Sequence, residues 1–256
     1  MIKDFLKGLL SARQNRSIFR FYDLGNTLSS LSPELIDDLP PGKRALVIAP
    51  HCDDESLGCG GTLHKHHLQG HAVTAVFMTD GSMCDSPNGT QETIKTRKME
   101  AERAAGILGI GQCIFLDHPD RQLRANETTI RQMEDILEKN NPDIVYLPFY
   151  LDNHPDHMET AHICLSALHR RPVKTILFYE LWTTLIPNRL IDISNALENK
   201  MAAIQVYRSQ TDIDSFAEKI KSLNRYRSLA SNGKYQYAEA FLEVHRKDLG
   251  KFIQNV

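Results

Sequence analysis

Two short runs concentrate the groups that could do chemistry. Pro50-His51-Cys52-Asp53-Asp54-Glu55 crowds an imidazole and three carboxylates together, and Asp152-Asn153-His154-Pro155-Asp156-His157 offers two imidazoles and two more carboxylates. Titratable groups packed behind an apolar run are costly to bury unless they bind something. His51, Asp54 and His157 can turn two ring nitrogens and a carboxylate oxygen toward one point. Three protein ligands on a divalent metal leave a further position open for water. Such a metal lowers the pKa of bound water from 15.7 toward about 7 and polarises an amide carbonyl. Asp53, between two ligands, is the candidate general base, a role worth on the order of 10²–10⁴ in rate. His154 is the candidate to stabilise the tetrahedral oxyanion and then protonate the leaving amine, with Asp156 holding its tautomer. Together these residues make a kit for metal-assisted amide hydrolysis. Two histidines and a carboxylate also form the facial triad of Fe(II) oxygen chemistry, but an oxygenase has less need of a flanking base and acid.

The surrounding pattern says how the two runs meet. The apolar run at 44–49 reads as a strand covered on both faces, and the first cluster follows it directly. A helix over 58–69 opens with small residues that let it approach the sheet, and a second strand spans 71–78. A loop rich in Gly, Ser, Asp, Asn and Pro at 80–91 is long enough to suggest function. A helix at 92–108 ends at Gly109. Then come a strand at 110–116, a helix at 127–140, a strand at 144–147, the second cluster, a helix at 158–169 and a strand at 175–179. Alternating strands and helices imply an α/β domain with a mainly parallel sheet and helices on both faces. Beyond 190 the pattern reads as mostly helical. Ligands of open parallel sheets bind beyond the carboxyl ends of the strands, and both clusters follow strands.

Here the residues resemble a family. Ala49-Pro50-His51-Cys52-Asp53-Asp54-Glu55 followed by Leu57-Gly58-Cys59-Gly60-Gly61 is similar to the signature of the PIG-L/LmbE-like metal-dependent de-N-acetylases. Thr79-Asp80-Gly81, Arg97-Lys98-Met99-Glu100 and the His154-Pro155-Asp156-His157 loop follow in the family's order. Weaker matches lie at 200–210, ending in Ser209-Gln210, and at Ala238-Glu239-Ala240-Phe241. The resemblance covers roughly residues 43–245. It implies a Rossmann-like single domain acting on an N-acetylated amino sugar, with zinc, or iron(II), held by His51, Asp54 and His157. It also implies Asp53 as base, and His154 supported by Asp156 as oxyanion-stabilising acid. Arg97 and Asp120 would hold the sugar, with Asp117 as the neighbouring alternative to Asp120. Two departures stand out. Cys52 replaces the family's usual proline, and Asp152 stands where one branch of the family has a mobile tyrosine.

The net charge of -2 over 256 residues gives no footprint for nucleic acid. Five cysteines without a CxxC pair read as free thiols of a reducing compartment. The start is too polar for a signal peptide, so the expected location is cytoplasmic. Residues 1–42 read as an N-terminal extension before a deacetylase domain at 43–256. Basic residues and an apolar stripe in 1–22 fit an amphipathic helix, suited to peripheral contact with an anionic membrane, to packing on the main domain or to an oligomer contact. His64, His66 and His67 read as a solvated helix face. Trp182 and Tyr179 fit either sugar stacking or core packing. The readings weighed against hydrolysis are the Fe(II) oxygenase and a catalytically silent sugar-binding protein on the same fold.

Overall fold

The computed structural model describes residues 34–36, 39–83, 90–210 and 212–255. The amphipathic start at 1–22 and half of the loop at 80–91, including Cys84, lie outside the described residues. Among those described, the chain runs β1 Glu34–Ile36, β2 Arg44–Ala49, α1 Asp54–Leu68, β3 Ala72–Thr79, α2 Thr90–Leu108, β4 Gln112–His118, α3 Glu127–Asn140, β5 Ile144–Pro148 and α4 Pro155–Arg170. It continues through β6 Thr175–Tyr179, β7 Arg189–Asp192, α5 Leu197–Ile204, α6 Ile213–Arg227, β8 Ala238–His245 and α7 Arg246–Asn255. The strands form one sheet in the order β1-β7-β8-β6-β5-β2-β3-β4. The domain is α/β, as the alternating pattern predicts. Apolar clusters lie on both faces of the sheet, under α3, α4 and α7 on one side and under α1, α2, α5 and α6 on the other.

Strand β2 is buried beyond its first residue and pairs in parallel with both β3 and β5. The chain fills the sheet from β2 through β3 to β4, then returns to place β5 on the other side of β2. This reversal makes the ends of β2 and β5 the switch point, where the two diverging connections leave a crevice. Both chemical clusters sit there.

Two strands run against the expectation that the region after 190 is mostly helical. Strand β8 is antiparallel to both β6 and β7, and β1 and β7 extend the sheet beyond it. Strand β1 falls within the segment expected to precede the domain. Helix α1 begins at Asp54, earlier than expected, with acidic Asp54 and Glu55 in its first turn, where the helix dipole favours them. It kinks at Cys59, whose φ/ψ of -142/19 is not helical. A Cβ at Gly58 would collide with the Tyr179 ring, and one at Gly61 would lie 2.7 Å from Ile193. These glycines are what let the helix sit so close to the sheet.

The kink frees backbone amides that need acceptors. Glu239 of β8 takes them, accepting from Gly61 N at 2.9 Å and Thr62 N at 2.8 Å. Its charge is matched by Lys200 of α5 at 2.6 Å, and both side chains are fully buried. The reading of His66 as solvated is corrected. It is fully buried, bonded to Tyr146 Oη at 2.8 Å and to His71 at 2.9 Å, because α1 turns this face toward the sheet. Burial holds its pKa down to about 3, so it serves as a neutral hydrogen-bonding core group.

Candidate active site

The first cluster is the turn from β2 into α1. His51 N donates to Asp54 Oδ2 at 2.8 Å, so the carboxylate folds back over the turn. Asp53 occupies the N-cap position of α1, yet its side chain makes no capping bond. A carboxylate at that position ordinarily satisfies the free amides; this one is left for another purpose. Its backbone φ of 138 lies in a region that residues with a Cβ rarely adopt.

The second cluster turns from β5 into α4. His154 is the N-cap and Pro155 opens the helix, the position where proline's missing N–H costs nothing. The His154 side chain caps through Nδ1, which accepts from Asp156 N at 3.2 Å. That bond puts the proton of the neutral ring on Nε2, which makes Nε2–H a donor. Burial, then the charges of His51 and His157, hold the His154 pKa below its usual value.

The fold brings His51, Asp54 and His157 together. Asp54 Oδ2 lies 3.2 Å from His51 Nδ1 and 3.2 Å from His157 Nε2. Ligands at about 2.0–2.1 Å around a tetrahedral zinc lie about 3.3 Å apart, so this spacing suits a shared cation. Three further features agree. Both ring nitrogens of His157, fully buried, lack a hydrogen bond among the described residues. Five aspartates (53, 54, 120, 152 and 156) converge on three imidazoles, an arrangement that calls for positive charge. The far nitrogen of each of these two histidines meets carboxylate oxygen: His51 Nε2 faces Asp156 at 3.1 Å and Asp120 at 3.4 Å, and His157 Nδ1 faces Asp152 at 3.5 Å. Carboxylate behind the imidazole is the usual outer partner of a metal ligand. Among the described residues, the groups whose ligand atoms all lie within 4.8 Å of one another are His51, His154 and His157, and His51, Asp120 and Asp156, so the pocket holds donors enough for a divalent cation.

Protons meet that demand for charge in the chain itself. Against the cost of burial, Asp120, Asp156 and Asp54 raise His51 well above its usual pKa. Asp54 and Asp152 likewise carry His157 to about 9. Burial first, then the neighbouring Asp54 charge, push Asp53 up to about 8. Asp120 is buried too, but the His51 ring, the Met83 amide and Arg97 hold it at about 2.

One expected contact is corrected. The Asp156 carboxylate does not hold His154; it binds His51 Nε2 and accepts from Arg121 N at 2.7 Å. Only the Asp156 backbone amide touches His154, because the first turn of α4 points side chain and amide to different neighbours. Of the two candidates around the end of β4, Asp120 faces His51, whereas Asp117, still within the strand, pairs with Lys98 at the surface. Arg97 is buried and committed to backbone, with Nη1 on Gly81 O at 3.1 Å and Nη2 on Cys52 O at 3.0 Å, while Nη2 lies 3.8 Å from Asp53 Oδ2. Cys52 is buried in the apolar cluster, and burial pushes its thiol well above the usual range.

Other partners are not evident from sequence. Asp152 accepts from His154 N at 2.9 Å and from Trp182 N at 3.1 Å, so it ties the β6 loop to the cluster. Its place in the second run was the available signal. Asp80 accepts from Asp120 N at 3.2 Å and so fixes the Asp120 turn. Tyr179 is core, its hydroxyl on Ile48 O at 2.8 Å, but Trp182 is 57% exposed and packs edge-on to Phe216.

The chain is similar to known proteins in both sequence and fold. Residues 46–168 match the PIG-L family model, described as GlcNAc-PI de-N-acetylase. The chain is 30% identical over 190 residues to the uncharacterized deacetylase YaiS of Escherichia coli, covering 70% of this chain and 98% of that one. It is 29% identical over 205 residues to a diacetylchitobiose deacetylase of Thermococcus kodakarensis, covering 72% and 76%. The structure of the N,N′-diacetylchitobiose deacetylase of Pyrococcus horikoshii superposes with a TM-score of 0.74 at 26% identity, covering 89% of this chain and 94% of that one. The chain therefore belongs to the PIG-L family of de-N-acetylases.

Proposed function

We propose that this protein hydrolyses the acetamide of an N-acetylated amino sugar, releasing acetate and the free amine. The observation that carries this reading is Asp54 Oδ2, set 3.2 Å from a nitrogen of each of two histidines, with the His154 ring 4.8 Å from that of His51 and Asp53 next to Asp54 in the same turn. His51, Asp54 and His157 would hold a divalent cation, zinc or iron(II) by donor type, which when bound activates water and polarises an amide carbonyl.

The remaining chemistry belongs to the side chains. Asp53 takes a proton as water oxygen adds to the acetamide carbon. His154 Nε2–H is the donor to the oxyanion that this addition creates, and removal of one such donor costs about 10²–10³ in kcat in well-studied hydrolases. As the C–N bond breaks, the amine needs a proton. Asp53, which holds the proton taken from water, can return it, and His154 Nε2–H is the other donor at this point. Asp120 is the expected contact to the sugar, whereas Arg97, buried with its guanidinium on Gly81 O and Cys52 O, is placed to hold the turn that carries Asp53 rather than the sugar.

Trp182 offers an aromatic surface for the rest of the substrate. Its backbone N–H is fastened to Asp152, the same carboxylate that faces His157, so the residue is anchored beside the site with its indole exposed. Trp182→Ala is expected to raise KM about 3- to 10-fold with kcat within about twofold, the pattern of lost uniform binding. A fall in kcat at unchanged KM would remove Trp182 from substrate binding.

The chain's further features suit a cytoplasmic protein with peripheral membrane contact through residues 1–22. Four cysteines are free among the described residues, and no described helix is long and apolar enough to cross a membrane. The decisive experiment measures acetate release from N-acetylglucosamine in free, β-linked disaccharide, nucleotide-linked and lipid-linked form, with elemental analysis of the protein. Acetate from at least one of these, abolished by chelation and restored by metal, is the expected outcome. No bound metal after reconstitution would overturn the reading. Metal without acetate from any sugar would leave the silent sugar-binding protein as the better account.

A further inference from the structure

The peptide that joins Cys52 to Asp53 is held at both ends by buried groups of opposite charge. Its carbonyl oxygen accepts from Arg97 Nη2 at 3.0 Å, and its N–H donates to Glu55 Oε2 at 3.2 Å. With that plane pinned, rotation about the Asp53 N–Cα bond alone sets where the carboxylate leaves the backbone. The observed φ of 138 is one that a residue with a Cβ keeps only when its surroundings over-determine it.

Both ends of the grip are themselves supported, and from the same short segment. Glu55 is fully buried, and its other oxygen accepts from Ser56 Oγ at 2.6 Å and from Tyr207 Oη at 2.5 Å. Tyr207 is fully buried as well. Three residues later the Gln210 amide lies against the guanidinium, and with its oxygen assigned to that side it would accept from Arg97 Nε at 3.0 Å. Between them Ser209 fastens the segment to Glu100 of α2 through both N and Oγ, at 2.9 and 2.5 Å. An apolar side chain would fill the Glu55 site without the cost of burying a carboxylate. What only an acceptor can do there is receive the Asp53 amide and the two hydroxyls.

We propose that Arg97 and Glu55, braced by Gln210 and Tyr207, form a clamp on the Cys52–Asp53 peptide that aims the Asp53 carboxylate at the reacting water. They are positioning residues acting through Asp53, and the inference rests on the reading of Asp53 as base. It also gives the weak sequence match at 200–210 a physical task, since Tyr207 and Gln210 stand at its end.

The test combines kinetics per bound metal with crystallography on the full chain. A misplacement of about 1 Å costs up to about 10²-fold in rate, so Glu55→Leu should lower kcat by about 10- to 100-fold with KM within about twofold. Tyr207→Phe, which keeps the ring, should lower it about 3- to 10-fold, and Glu55→Gln, whose amide oxygen still accepts from Asp53 N, should recover most of the loss. In an Asp53→Asn background, Glu55→Leu should cost less than about twofold more, because the residue through which it acts is gone. An equal loss in both backgrounds would overturn the clamp. So would losses confined to metal content or folded fraction at unchanged kcat per metal. If Glu55→Leu does not fold, Tyr207→Phe carries the same cycle. A readout free of substrate is the Asp53 φ in variant crystals: relaxation to negative values supports the clamp, and φ staying near 138 in Glu55→Leu or Tyr207→Phe overturns it. Failure of the wild type to release acetate would sink the proposed reaction, while the backbone angle in the variants would still decide whether the clamp exists.

Discussion

Asp53→Asn lowers kcat by about 10²–10⁴, or about 2.7–5.4 kcal/mol of transition-state stabilisation, while KM and metal content stay near wild type. The amide has nearly the shape of the carboxylate but takes no proton from water. Asp53 is not among His51, Asp54 and His157, so the proposed donor set survives the change. Retained turnover within about threefold would remove Asp53 as base.

The same substitution should stabilise the metal-free protein, and the sign follows from the carboxyl's surroundings. An unfolded Asp titrates near 3.9, whereas burial and the Asp54 charge bring Asp53 to about 8 in the fold. Between those values the folded chain keeps a proton that the unfolded chain has lost, so stability falls as pH rises across that window. Asparagine removes this slope. Urea melts of metal-free wild type and Asp53→Asn should therefore diverge in favour of the variant from about pH 4 upward, until the folded carboxyl has ionised above about pH 8. Parallel curves would show that the carboxyl is not destabilised. In turnover the base must be ionised, which gives kcat an acid limb; a cation beside Asp53 moves that limb below about 8.

Lys200→Met destabilises the fold by about 3–5 kcal/mol, the usual result of leaving one partner of a buried ion pair uncompensated. Lys200 and Glu239 are both fully buried and 2.6 Å apart. Glu239 cannot turn to water, because its two oxygens hold the Gly61 and Thr62 amides below the kink of α1. For a chain of this size the loss lowers Tm by on the order of 10 °C. Denaturant melts should show a lower midpoint at an unchanged m-value. A loss below about 1 kcal/mol would mean that solvent reaches the pair. Replacing Glu239 as well gives no full recovery, since the freed amides still lack an acceptor.

The site was legible because its chemistry is written in short runs. His51, Asp53 and Asp54 lie in one turn, and His154 and His157 in another, each directly after a run apolar enough to read as a buried strand. The alternation of period then implied neighbouring parallel strands, which is all that is needed to bring the two turns face to face. Strands β7 and β8 were not legible for a related reason. β7 has only four residues, and β8 carries Glu239 and Glu243 inside a buried strand. Those glutamates break the apolar pattern, and only their distant partners, Lys200 and Arg189, explain why they are tolerated.

The amino-acid sequence alone therefore determined the α/β class, the order of elements from 44 to 179 and the residues able to meet at one point. Those properties depend on local periodicity, capping and the types of neighbouring side chains. The tertiary structure decided the mixed sheet, the Asp156 carboxylate on His51 instead of His154, Asp120 over Asp117, and the support of the Asp53 peptide by Tyr207 and Gln210. Each of these is a contact between residues far apart in the chain, and such contacts are set by how helices and strands pack rather than by any pattern within a single element.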